Sequence, residues 1–211
     1  MIEKMITSLI NTLFINELIT EKDKEWYHYY LQVLLEKVIS VTAIFLIAFI
    51  WDIALETLLF LICFSMIRKH TGGYHAKTFR SCFLWSIGTY IGYTKYVYVV
   101  LKCNMHMNMI LLIVMAVIIF IIGAINHPNM DWSEKEHEDT KKIARIIVVI
   151  ETVCIIGFCY LGMAKSYILY MSFGLMLSAV LLVLGKLMKQ EVKKDEKESK
   201  ESDAFCFGKN S

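Results

Sequence analysis

The sequence predicts an all-α, polytopic integral membrane protein. Hydrophobic residues make up 57% of its 211 residues, whereas about half is usual for a soluble domain. Pro128 is the single proline of the chain, which suits long helices because proline breaks their interiors. About six apolar segments are each close to the roughly 20 residues that cross a hydrocarbon layer. They are residues 34–50, 53–67, 79–101, 108–126, 143–163 and 166–188.

The two ends of the chain differ from this apolar centre. Met1–Ile19 has apolar residues at helical spacing, with Glu3 and Lys4 between them. This pattern predicts an amphipathic helix on the membrane surface, assigned to residues 1–25. Residues 26–189 form the predicted transmembrane domain. Residues 190–211 are rich in Lys, Glu and Ser, a composition typical of a disordered, charged tail.

The positions of the basic residues predict the orientation in the membrane. If the N-terminus is cytoplasmic and the chain crosses six times, 19 of the 22 lysines and arginines lie on the cytoplasmic side. We therefore expect a multi-pass protein of the cell membrane, with both termini and the segment from Arg68 to Cys82 facing the cytoplasm. Four crossings with two re-entrant hairpins would leave the ends on the same side, so the number of crossings stays open.

The cysteines do not follow a metal or disulfide pattern. The chain has six, none of them in a C-x-x-C pair, and most lie inside apolar segments. A cysteine in such a place behaves as a small hydrophobic residue. We expect no disulfide framework, no bound metal, no cofactor and no nucleic-acid partner.

The segment from Arg68 to Cys82 is a polar, glycine-broken insert between two apolar runs. Gly72 and Gly73 permit positive φ angles and a close approach of the backbone. Thr78 is a suitable N-cap for the next helix. Cys82 would then lie at the end of the first helical turn, where the helix dipole favours a thiolate.

His75 is the candidate base for this thiol. A continuous helix would separate His75 from Cys82 by about 10 Å along its axis, whereas proton transfer needs about 3 Å. We therefore predict a loop at residues 71–77 that folds His75 back over the start of the helix. Cys82 would be the nucleophile and His75 its base, while Arg68 would neutralise a carboxylate or hold an oxyanion.

Other interpretations of the same residues stay open at this point. A basic, glycine-rich cytoplasmic loop also occurs in transporters, where it binds lipid headgroups. A small peptide transporter without covalent catalysis is therefore the alternative function, and a membrane adaptor is a third. His70, His75 and Cys82 could be metal ligands, but the sequence offers no fourth ligand at a recognisable spacing.

Arg68, Gly73, Tyr74, His75 and Cys82 together resemble the signature of the AgrB family, the accessory gene regulator membrane endopeptidases of Gram-positive quorum sensing. The arginine precedes the histidine by seven residues and the cysteine follows it by seven, as in that family.

The resemblance extends over about residues 25–188. Gln32 lies in the first apolar helix, where the family carries a functional Gln or Glu. Residues 124–129, which are followed by a charged loop up to about residue 142, resemble the central cytoplasmic loop of the family.

The resemblance implies a cysteine endopeptidase that removes the C-terminal tail of an AgrD-like precursor peptide. Cys82 and His75 would be catalytic, with a thioester acyl-enzyme on Cys82. Gln32, Arg68 and Gly73 would position substrate or stabilise the oxyanion. The product would be a cyclic thiolactone or lactone pheromone. The implied partners are the precursor, membrane lipids and a second copy of the chain, since the family forms homodimers.

Three acidic residues lie close to or inside the apolar segments. We expect Asp52 and Glu56, near the ends of the first two segments, to serve interfacial placement or a helix contact. Glu151 lies inside the fifth segment. An acid at that depth is a candidate for function, and we expect it to form a hydrogen bond between helices.

Overall fold

The computed structural model describes residues 2–16, 20, 24–73, 79–125 and 133–188. These residues form eight α-helices and one π-helix, with no strand among them, which confirms the predicted all-α class. The helices are α1 (Ile2–Ile15), α2 (Lys24–Ile50), α3 (Ala54–Thr71), α4 (Phe79–Gly92), the π-helix (Tyr93–Val97), α5 (Tyr98–Cys103), α6 (Met105–Ile122), α7 (Glu134–Tyr160) and α8 (Lys165–Leu187).

Most of the described residues in each of the six apolar segments are helical. Within the described residues, four helices are long and apolar enough to cross a membrane, namely Tyr30–Ile50 of α2 together with α6, α7 and α8. In α3 the uncharged stretch between Glu56 and Arg68 is 11 residues long. Such a stretch rises only about 17 Å, less than the roughly 30 Å of a hydrocarbon core. The number of crossings therefore stays a prediction.

The exposed sides of these helices are apolar, as a lipid environment requires. On α6 the exposed side chains include Ile110, Ile113, Val117 and Ile121. On α7 they include Val153. A soluble protein does not expose contiguous apolar surface of this extent, so these faces are suited to contact with acyl chains.

Residues 1–54 and 76–93 form the first of two compact units, which contains α1, α2 and α4. Ile6 and Ile10 of α1 are buried, and Tyr27, Leu31 and Leu35 of α2 pack against them. This part of the apolar face of α1 is therefore used in a helix contact. The predicted position of α1 on the membrane surface stays a prediction.

Asp52 forms the turn at the end of α2. Its φ angle is 57°, in the left-handed region that aspartate tolerates better than most residues. The Ile53 amide donates to the Ala48 carbonyl at 3.0 Å, which closes the helix end. Glu56 lies in the first turn of α3, where the helix dipole favours a negative charge. Both acids therefore have local roles at helix ends.

The second compact unit contains the described residues 55–73, 94–125 and 133–188. The predicted tail, residues 190–211, lies outside the described residues. Its central element is α8, against which α5, α6 and α7 pack. The core side chains come from α3, α6, α7 and α8 and include Ile67, Leu112, Ile119, Val148, Ile155, Leu175, Ala179 and Leu182. Because α8 is surrounded in this way, most of its side chains from Ile168 to Leu182 are buried.

Gly174 allows α3 to approach α8 closely. A Cβ atom at this position would lie 2.8 Å from the Phe60 carbonyl oxygen and 2.9 Å from the Phe64 amide nitrogen. The rings of Phe60 and Phe173 stack beside it, with centroids 4.6 Å apart. Small residues have this role at contacts between membrane helices.

A π-helix interrupts the helical run between α4 and α5 at Tyr93–Val97. The Tyr170 hydroxyl of α8 donates to Thr94 Oγ1 at 3.2 Å. The ring of Tyr170 also lies 5.6 Å from that of Tyr98, centroid to centroid. Irregular segments of this kind often mark functional positions in helices.

The interpretation of residues 134–142 as loop is wrong, because they form the first turns of α7. Ser133 and Glu136 make a capping box in which each side chain accepts a hydrogen bond from the other residue's backbone amide. This motif satisfies amides that would otherwise lack partners at the helix start. The S-x-x-E pattern could have been recognised in the sequence.

We predict that Gly174→Ala destabilises the protein by about 1–3 kcal/mol, because backbone atoms of α3 cannot move aside as a flexible side chain would. Thermal unfolding in detergent measures the effect. Gly157→Ala on α7 is the matched control, since a Cβ there would meet nothing within 4 Å. Equal unfolding temperatures for the two variants would contradict the role given to Gly174.

Candidate active site

Cys82 is the fourth residue of α4, which begins at Phe79. Its predicted place in the first turn is therefore confirmed. The side chain is half-buried, and its backbone carbonyl accepts a hydrogen bond from Ser86 Oγ at 2.9 Å. The first four amides of a helix have no partner inside the helix, and their dipole stabilises a nearby anion. This position favours the thiolate form that a nucleophile needs.

Gly72 and Gly73 end α3 in a turn, and their φ angles are 63° and 112°, in the positive range that glycine permits. The Ile125 amide donates to the Thr71 carbonyl at 3.0 Å, which joins this turn to the end of α6. A Cβ on Gly72 would lie 2.9 Å from the Ile125 carbonyl oxygen, and a Cβ on Gly73 would lie 2.8 Å from that of Leu181. The turn therefore requires glycine for its φ angles and for its space.

The Arg68 side chain is half-buried and donates from Nη1 to the Gly72 carbonyl. A Cβ on Gly73 would collide with the same guanidinium group. The carbonyls at the end of a helix lack partners inside the helix, and a cation there is favoured by the dipole. Arg68 thus closes the end of α3 and holds the turn that precedes His75 in the chain.

Gln32 lies on α2, the helix that packs against α4 in the first unit. Its side chain is half-buried, and its Nε2 donates to Glu36 Oε1 at 3.2 Å. The contact orients the amide along the helix and leaves its oxygen as an acceptor. Glu36 was assigned no functional role from the sequence, and the i, i+4 spacing from Gln32 could have suggested this contact.

The structure brings Arg68 and Gly73 into one turn, and it places Gln32 and Cys82 on two packed helices. His75 lies outside the described residues, as does the predicted cap Thr78. The catalytic roles of His75 and Cys82 and the supporting roles of Gln32, Arg68 and Gly73 therefore stay predictions.

His70 is a second imidazole in the segment, on the last turn of α3. Burial, followed by the charge of Lys69, lowers the pKa of His70. Its neutral form is therefore favoured around pH 7. Among the described residues, no three His, Cys, Asp or Glu side chains group closely enough to hold a metal ion.

We predict that Arg68→Gln loosens the glycine turn, because the Gly72 carbonyl loses a charged donor. Amide hydrogen exchange followed by mass spectrometry should show faster deuterium uptake in the peptide covering residues 68–73. Lys69→Gln is the matched control, since this neighbouring side chain has the same charge and is exposed. Unchanged uptake in Arg68→Gln would show that the guanidinium group does not hold the turn.

Comparison with known proteins identifies the family. The family described as Accessory gene regulator B matches residues 2–183. An AgrB-like protein of Clostridium perfringens (strain SM101, type A) is 27% identical over 181 residues, covering 78% of this chain and 84% of the relative. AgrB-like protein 2 of Clostridium perfringens (strain 13, type A) is 28% identical over 170 residues, covering 72% and 77%. No solved structure matches the chain. Because the family match spans most of the sequence, the protein belongs to the accessory gene regulator B (AgrB) family.

Proposed function

We propose that this protein is a membrane-embedded cysteine endopeptidase that matures a quorum-sensing peptide. Its AgrB family membership supports a part in accessory gene regulation, a peptide precursor as substrate and a place in the membrane. The observation that carries the proposal is the position of Cys82 in the first turn of α4. A half-buried thiol at a helix start has the surroundings that favour a reactive thiolate.

The proposed reaction begins on the bond that joins the signal segment of an AgrD-like precursor to its C-terminal tail. Cys82 Sγ attacks the carbonyl carbon while His75 takes the thiol proton. The C–N bond then breaks, His75 protonates the leaving amine, and the tail departs. A thioester between the signal segment and Cys82 remains.

The second half of the reaction closes the ring. A Cys or Ser of the bound signal segment attacks the thioester carbonyl, and His75 takes its proton. The bond to Cys82 Sγ breaks and the thiolate regains a proton from His75. The product is a thiolactone or lactone. Exchange of one thioester for another is nearly isoenergetic, so a site that excludes water would protect the intermediate from hydrolysis.

We assign different supporting roles to Arg68 and Gln32. The Arg68 guanidinium contacts Gly72 and Gly73, so we propose that it positions the loop that carries His75. Gln32 is half-buried on the helix that packs against α4. We propose that its amide binds the substrate backbone, a contact made before and during the reaction.

We further propose a homodimer with both termini in the cytoplasm. Gly88 and Gly92 of α4 form a G-x-x-x-G pattern, which permits close contact between membrane helices. A Cβ at either position would meet nothing within 4 Å among the described residues. This face of α4 therefore has room for a helix of a second copy.

We predict that Cys82→Ala and His75→Ala abolish release of the precursor tail. The test is mass spectrometry of a cognate precursor mixed with the purified protein in liposomes. The wild type should release the tail and form a transient thioester adduct on Cys82. The matched controls are Cys103→Ala and His106→Ala, which remove an exposed thiol and an exposed imidazole near the start of α6 and should retain cleavage.

Retained cleavage in Cys82→Ala would exclude Cys82 as the nucleophile. If the folded wild type left a verified precursor intact, as the variants do, the endopeptidase proposal would fail. Peptide movement across the liposome membrane, measured in the same samples, would then favour the transporter alternative.

We predict that Gln32→Ala raises KM up to about tenfold and leaves kcat within about twofold. Loss of one neutral hydrogen bond costs about 0.5–1.5 kcal/mol, and an equal loss in the bound and transition states changes KM alone. Steady-state cleavage of the precursor measures both constants. Lys37→Gln, at an exposed position of the same helix, is the control. A fall in kcat at unchanged KM would instead assign Gln32 to the oxyanion.

A further inference from the structure

Glu151 lies on the side of α7 that faces the protein core. Its neighbours on this side are Ala144, Val148 and Ile155, all of them buried. The side chain of Glu151 is itself only 7% exposed. A carboxyl group therefore occupies a position in a stripe that is otherwise apolar.

The position is also deep along the helix. Glu151 is near the middle of the apolar stretch Ile143–Tyr160, in which Arg145 is the other charged residue. With a rise of 1.5 Å per residue, the carboxyl-bearing residue is about 12 Å from either end of this stretch. If α7 crosses the membrane, Glu151 lies near the bilayer centre.

Neither carboxyl oxygen of Glu151 has a hydrogen-bond partner among the described residues. The interhelical hydrogen bond that we expected from the sequence is therefore not found in this part of the chain. Asn108 of α6, in the same unit, also has a buried oxygen without a described hydrogen-bond partner. Its Nδ2 donates to Ser172 Oγ at 3.1 Å, but its Oδ1 accepts no hydrogen bond from the described residues.

The two sites lie at successive depths of one bundle. Arg145 Nε donates to the Phe120 carbonyl at 3.0 Å, and Lys141 contacts Gly123, so α6 and α7 run in opposite directions. Glu151 is six residues from Arg145, about 9 Å, and Asn108 is twelve residues from Phe120, about 18 Å. Glu151 and Asn108 lie in the same direction along the bundle from the contact between Arg145 and Phe120. Acceptors without a described partner therefore occur at two depths of the second unit.

The neighbouring helices supply no compensating charge within the described residues. Residues 57–67 of α3, 107–122 of α6 and 166–185 of α8 contain no Asp, Glu, Lys, Arg or His. The ionisable groups on these stretches and beside Glu151 on α7 are thiols and phenols. They are Cys63, Cys154, Tyr167 and Tyr170.

An ionised carboxylate without a partner is very costly in such surroundings. Its desolvation is not repaid when no opposite charge is near, and even an uncharged polar group is costly to bury without a hydrogen bond. A position needed only for packing would be filled better by an apolar residue, as at Val148 and Ile155. Among the described residues nothing supplies the compensating positive charge, which points to a bound cation or proton.

We propose that Glu151 is a binding site for a single positive charge, either a proton or an alkali-metal ion, in the interior of the second unit. The two share one property, a single positive charge that neutralises one carboxylate, although a proton binds to one oxygen and an alkali-metal ion requires further oxygen ligands. The proposal assigns no role to Cys82 or His75 and does not rest on the proposed endopeptidase. Its occupancy links the stability of the bundle to the ionic conditions at the membrane.

The first test is labelling with dicyclohexylcarbodiimide, an apolar reagent that reacts with protonated acids. The full-length protein in liposomes is treated over a pH series, in sodium, potassium or choline chloride at constant ionic strength, and modified peptides are found by mass spectrometry. A proton site predicts a Glu151 adduct that decreases as pH rises. An alkali-metal site predicts an adduct in choline that sodium or potassium suppresses.

The second test keeps the proposal falsifiable if the reagent cannot reach the core. The thermal unfolding temperature in detergent is measured over the same conditions for the wild type, Glu151→Gln and Glu138→Gln. Glu138 is an exposed acid on the same helix. A proton site predicts that the wild type loses stability as pH rises, and an alkali-metal site predicts stabilisation by that ion. Glu151→Gln should lose this response and Glu138→Gln should keep it.

The proposal is overturned if Glu151 is unlabelled in all conditions and the wild type and Glu151→Gln respond identically to pH and to alkali-metal chlorides. Labelling of Glu151 or loss of the response specifically in Glu151→Gln supports it. The tail-release assay gives a separate result, because Cys82 and His75 are unchanged in these variants.

Discussion

The second unit depends on the close contact between α3 and α8 at Gly174. Without a side chain at this position, the Phe60 carbonyl and the Phe64 amide of α3 can lie directly against α8. The contact fixes the position of α3 against α8. Arg68 and the Gly72–Gly73 turn are at the C-terminal end of α3. In an apolar solvent, where hydrophobic attraction between helices is weak, such close packing is one of the few forces that can fix helix positions.

The sequence was sufficient for features that depend on local chemistry. The apolar segments predicted the all-α class, and the adjacent glycines predicted the break after α3. The choice of Thr78 as N-cap placed Cys82 in the first turn of the next helix. These features follow from the properties of consecutive residues. The capping box at Ser133 is also a local feature. It was missed because the many charged residues that follow it are equally typical of a loop.

Features that depend on distant residues could not be predicted. The bond from Ile125 to Thr71 joins residues 54 positions apart, and no local pattern marks either of them. The burial of Glu151 depends on helices that are far away in the chain, so its lack of a described partner became visible only in the packed bundle. Likewise, periodicity marked the apolar face of α1 but could not distinguish contact with α2 from contact with lipid.

The glycine turn is held by the Arg68 side chain and by contacts with main-chain atoms of distant residues. The Thr71 carbonyl, the Ile125 amide and the Leu181 carbonyl belong to groups that nearly every amino acid provides. These contacts use the backbone at positions 125 and 181 and not their side chains, although the side chain of Ile125 is itself buried in the core. The need for particular residues therefore falls on Arg68, Gly72 and Gly73, because the turn uses one guanidinium group and two positions without a Cβ atom.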